Sequence, residues 1–171
     1  MKILTRGVLV SAFCLSFVVL SLVRAETGKE TDTMSDQSAM IMLVPNEISW
    51  ADVPSALPSG AKIAVLEGNP FEPGPYSLRL MMPANYKIPA HWHTMIERVT
   101  VISGTMNAGM GDELDTEKGK AFPAGSFVFI PAKMHHFAWA SEDTIVQING
   151  DGPFDIHYIN PADDPRNTSS N

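Results

Sequence analysis

The chain has 171 residues and a mass of 18.6 kDa, with 12 Lys plus Arg against 19 Asp plus Glu and a formal net charge of -7. That length suits one domain with extensions, and a hydrophobic share of 44% gives it the material for a core. The acidic balance, with no Lys/Arg stripe, offers a phosphate backbone nothing to bind, so nucleic acid is not an expected partner.

In chain order, Lys2 and Arg6 precede an apolar run from Gly7 to Val23, and Val23-Arg24-Ala25 leaves small or β-branched residues at the -3 and -1 positions of a cut after Ala25. This is the layout of a secretory signal peptide over residues 1–25, too short for the roughly 20 residues of a membrane-spanning helix. The expected destination is therefore periplasmic or extracellular, with no membrane association after cleavage. Removing the leader takes away Lys2, Arg6, Arg24 and Cys14, the single cysteine, leaving 9 basic against 19 acidic residues over 146. A mature chain without cysteine has no disulfide, thiolate nucleophile or Cys-bound zinc, and its stability must come from packing.

Residues 26–45 open with ETGKETDTMSDQSAM, polar and without apolar periodicity, which reads as a disordered linker. Within EISWADVPSAL (47–57) a helical turn is expected, limited by Pro54. From residue 46 to 160 the chain becomes short β-rich runs: AKIAVLE (61–67), YSLRLMM (76–82), RVTVIS (98–103), GSFVFIP (125–131), DTIVQIN (143–149) and FDIHYIN (154–160). Gly and Pro punctuate them densely, and such runs with turn residues between them predict an all-β sandwich or barrel in a single domain. The polar residues 161–171 read as a loose tail.

The five histidines, His91, His93, His135, His136 and His157, all lie beyond residue 90. On an extended segment side chains alternate, so His91 and His93 point the same way with Trp92 opposed. Glu97 follows four residues after His93. A carboxylate from the next strand and a third imidazole from a distant one would complete an N/O set for a divalent transition metal: Fe, Mn, Ni, Cu or Zn. A lone histidine on a strand is more often surface or satisfied core, and His157 is left unassigned. Met81, Met106 and Met134 are candidates for a pocket wall, while Trp92 and Trp139 read as packing.

His91-Trp92-His93-Thr94-Met95-Ile96-Glu97, followed after six intervening residues by Gly104, resembles the first motif of the cupin superfamily. Gly125 to Pro131, ending in His136, resembles the second. The resemblance covers most of residues 60–160 and implies a double-stranded β-helix (cupin jelly-roll barrel), with metal ligands at His91, His93, Glu97 and His136, and a possible homodimer. Three positions depart from the pattern, where Asn85 and Lys133 replace glycines and Ala140 an asparagine. Lys133 adjoins the turn that decides between His135 and His136, and spacing favours His136.

Such a site implies an exported metal enzyme, dioxygenase-like or a related oxidoreductase or isomerase, acting on a small oxygen-bearing organic molecule. The alternative is a non-catalytic module that binds metal or a small ligand for sensing or sequestration. Fold and ligands alone do not choose between them.

Overall fold

The structure, a computed structural model, describes residues 40–168; the leader read over 1–25 and the linker residues 26–39 lie outside them. Residues 40–44 are exposed, and Pro45–Glu47 form one 3-10 turn. Eleven strands follow: β1 (Ala51–Asp52), β2 (Lys62–Glu67), β3 (Gly74–Met82), β4 (Lys87–Trp92), β5 (Glu97–Ser103), β6 (Thr105–Met110), β7 (Lys120–Pro123), β8 (Phe127–Ile130), β9 (His136–Ala140), β10 (Thr144–Gly152) and β11 (His157–Tyr158). The helical turn expected within 47–57 is instead the short strand β1, because Ala51 and Asp52 pair with Ile63 and Lys62. Within the polar tail, Pro161–Asp163 and Pro165–Thr168 form two short helical turns. Arg166 ties it down, donating to the Asp164 carboxylate and to the Ile156 carbonyl.

The strands form two antiparallel sheets, β1-β2-β3-β10-β5-β8 and β11-β4-β9-β6-β7. This is the jelly-roll sandwich that the sequence motifs imply. Period-two burial makes the first sheet amphipathic: Leu78, Leu80 and Met82 of β3 face inward, and Ser77, Arg79 and Met81 face out. The register sets Leu80 beside Val146 and Ile148 beside both Leu78 and Val99, so the inner rows of β3, β10 and β5 make one apolar surface. Each fully buried side chain of this kind contributes about 1.5–3 kcal/mol. The outer row is polar where strands meet, with Arg79 donating to Gln147 and Asn149 to Ser77.

Left-handed backbone occurs at both positions where this chain replaces the glycine of the cupin pattern, Asn85 (φ 67) and Lys133 (φ 60). The turns are thus kept without glycine, at a cost that Asn tolerates better than Lys. The Lys133 turn stays anchored because its N–H donates to the His93 carbonyl at 2.8 Å. Ala140 is fully buried opposite Met106 and serves the core.

Candidate metal centre

Three strands bring the site together. β4 carries His91, with His93 one residue past its end; Glu97 opens β5, and His136 opens β9 directly opposite His91. Pairing between β4 and β9 runs Lys87 to Trp139 and Ile88 to Ala138, then resumes at His91 to His136. One extra residue is therefore accommodated on β4, a bulge that lets Ile88 and His91, three apart, both face the interior. His93 follows on the same face, as alternation predicts. Trp92 points the other way and stacks on His157, with ring centroids 4.0 Å apart and 13° between planes.

The three imidazoles are buried and offer ring nitrogens that all lie within 4.8 Å of one another, so they could hold a metal ion. Their orientation is fixed from behind. His91 Nδ1 lies 2.6 Å from the Pro89 carbonyl, His136 Nδ1 lies 2.9 Å from the Met134 carbonyl, and His93 Nδ1 meets the Asp155 carbonyl. A carbonyl only accepts, so each Nδ1 carries the proton and each Nε2 presents a lone pair. The Glu97 carboxylate is 3.7 Å from His93 Nε2 and 3.9 Å from His136 Nε2. His93 Nε2 is fully buried with no hydrogen-bond partner. An orphaned lone pair of this kind costs about 1–3 kcal/mol unless something binds it, and a divalent cation fits the donor set.

Burial holds the His91 imidazole well below its ordinary pKa, and His136 and His93 alongside push it further down; the bond to Pro89 opposes them. Burial also lowers His136, against the pull of Glu97. Both rings are thereby kept neutral, the state a metal requires.

The other histidines stand apart. His135 is exposed and faces Asp112 at 2.7 Å, and His157 pairs with Asp155 at 3.0 Å. The structure thus puts His136, not His135, in the cluster. The interior beside the histidines is a cavity of about 60 Å³ walled by Leu80, Met82, Val99, Met106, Val146 and Ile148. One buried water needs about 10–15 Å³, so only a few small groups fit there. Met82 takes the wall position expected for Met81, because parity along β3 turns Met81 outward. Of the other two candidates, Met106 lines the cavity, whereas Met134 lines a groove outside it.

Asp155 carries no motif signal, since its contact with the ligand set is through a backbone carbonyl. Its side chain accepts from the Thr94 N–H at 2.8 Å and from His157, and so fixes the carbonyl that aims His93. Burial works to raise its pKa, but these two hydrogen bonds outweigh burial and hold it low. Asp155→Ala is expected to weaken metal affinity about 10- to 100-fold, while Asp112→Ala, at the exposed His135, leaves it unchanged. Competition titration with a chromogenic chelator measures both, and equal effects would overturn the assignment.

A family profile described as the ChrR cupin-like domain matches residues 38–155. No curated protein matches. Among solved structures, the polyketide cyclase RemF from Streptomyces resistomycificus is similar at a TM-score of 0.62 and 14% identity, covering 74% of this chain and 90% of that one. A protein from Methylibium petroleiphilum PM1, provisionally described as an acetylacetone dioxygenase, gives 0.56 and 18%, covering 74% and 86%. An RmlC-like cupin from Shewanella frigidimarina NCIMB 400 gives 0.52 and 15%, covering 66% and 91%. At these identities the structural likeness establishes the barrel alone, while the profile spans β1 to β10 and both histidine motifs: the chain belongs to the ChrR cupin-like family of the cupin superfamily.

Proposed function

We propose that this chain is a divalent-metal cupin that acts on a small oxygen-bearing organic molecule, with His91, His93, Glu97 and His136 as the ligands. The observation that carries the reading is the convergence of three Nε2 lone pairs, each Nδ1 capped by a carbonyl, with one Nε2 buried and unpartnered. When bound, a metal with this N/O set supplies Lewis-acid polarisation of a substrate oxygen or a centre for oxygen chemistry. The chain's own groups do the rest. The apolar wall excludes water and strengthens charge interactions at the site, and the carbonyls at Pro89, Met134 and Asp155 hold a proton on each Nδ1, so that the Nε2 lone pairs face the site. The named chemistries of structural neighbours, a cyclase and an assigned dioxygenase, differ, so the fold does not choose the reaction. Residues 1–25 support export to the periplasm or the exterior as part of the same reading.

One observation favours a second reading, a non-catalytic binder. Among the described residues walling the cavity, Glu97 is the sole acid-base group besides the three histidines, which is sparse for a site that must move protons.

The test is metal content by mass spectrometry on protein from its native compartment, followed by oxygen uptake with phenolic and β-diketone compounds. About one Fe, Mn, Ni, Cu or Zn per chain with substrate-dependent uptake is the expected result. Metal without turnover selects a metal binder, and folded protein that takes up no metal overturns the metal enzyme and leaves only a metal-independent ligand for the barrel.

A further inference from the structure

Two consecutive strands, β7 and β8, end different sheets, and beside them lies a groove of about 320 Å³. Its volume is at the lower end of the roughly 300–1,000 Å³ usual for small-ligand sites. Ala108, Ile130 and His136 wall both this groove and the interior cavity, so the groove meets the histidine cluster at these shared walls.

The groove differs from the rest of an acidic molecule in sign. Lys118 and Lys120 line it, and no carboxylate does. By contrast, the surface depression beside Lys87 is walled by Asp112, Glu113 and Asp163. Lys118 is engaged by Asp115 at 2.9 Å. Lys120 has no ion-pair partner among the described residues; its ammonium sits over the Phe122 ring, 5.5 Å from the centroid. Phe122, Val128 and Met134 add apolar wall to the groove. An unpaired ammonium among aromatic surfaces suits an anion that carries an apolar body and has no use for a neutral polar molecule.

We propose that this groove binds a small organic anion, a carboxylate or enolate on an apolar body of about one ring, and is the mouth of the metal centre. The inference deepens the proposed function and rests on it only for the metal end. Lys120 draws the anionic group in, Phe122 and Val128 hold the body, and the groove meets the histidines where His136 walls both spaces. The 60 Å³ interior admits the leading few atoms while the remainder stays in the groove.

The experiment is a ¹H–¹⁵N NMR titration of the purified chain with benzoate and, separately, with benzamide, its neutral isostere, with and without Zn(II). Benzoate is expected to shift the amides of Gly109, Lys118, Lys120 and Phe129 and to bind about three- to tenfold more tightly than benzamide at low salt, with the preference fading as salt screens it. Lys120→Gln should erase most of that preference and Lys120→Glu should reverse it; Lys120 is exposed, so both variants are expected to fold. Equal binding of the two probes, shifts confined to another face, or a preference indifferent to both Lys120 variants would overturn the proposal. Zn(II) uptake without benzoate preference removes the groove and leaves the metal reading standing. Benzoate preference without Zn(II) uptake does the reverse.

Discussion

Joint replacement of His91 and His136 by alanine is expected to reduce bound metal from about one per chain to below about a tenth, whereas His157→Ala and His135→Ala leave it at the wild-type level. The first pair faces itself across β4 and β9 and supplies two of the three converging nitrogens; without it only His93 and the Glu97 carboxylate remain, too few donors to hold an exchangeable divalent ion. His157 lies on the outer side, flat against Trp92, and His135 turns to Asp112. The same comparison can be read as stability. Metal at about a hundredfold over its dissociation constant adds about 2.7 kcal/mol to the folded state, and the double variant should gain nothing from added metal. Equal metal loss in His93→Ala and His157→Ala, or loss in neither, would overturn the ligand set.

The second large effect is on the metal-free protein as pH falls. His91 and His136 have folded-state pKa values below the ordinary value of 6.5, so below about pH 6.5 the unfolded chain takes up protons that the folded chain refuses. Stability is therefore fully present above that pH and is lost as the pH drops toward the depressed folded values. Each refused proton contributes a slope of at most about 1.4 kcal/mol per pH unit, so the pair contributes at most about 2.7. Against a total of about 5–15 kcal/mol for a domain, that is a steep dependence. Urea unfolding of chelator-treated protein between pH 7.5 and 5 measures it. His91→Leu, which removes one proton site and keeps an apolar filler, should reduce the slope by about half. A midpoint that does not move across this range would contradict the buried, neutral state of both rings.

Much of the barrel is legible in the sequence because alternation and punctuation are local. YSLRLMM and DTIVQIN became β3 and β10 with their faces as alternation predicts, since both are long and buried on one side. FDIHYIN shrank to the two residues of β11, because Phe154 turns inward to the cavity wall while Asp155 bonds to Thr94 and His157. β6, with its Asn, Ala and Gly, carries too weak a strand propensity to stand out, and pairing with β7 and β9 makes it a strand. In the site, the HxH pair is readable from strand geometry. The convergence of His136 on it depends on the β4–β9 register, which no local pattern encodes. The part played by Asp155 is invisible for a different reason: a backbone carbonyl has no residue signature.

The bulge between Ile88 and His91 makes the site depend on counting as well as on chemistry. A strand's two faces are assigned by odd and even position, so a one-residue deletion there would exchange lining for exterior without altering a single ligand type. Both imidazoles would turn toward solvent and Trp92 would turn inward, giving a barrel with every motif residue present and no centre. In descendants of this chain, preservation of the site is therefore to be judged by the number of residues between Ile88 and His93 before the identities of the residues that flank them.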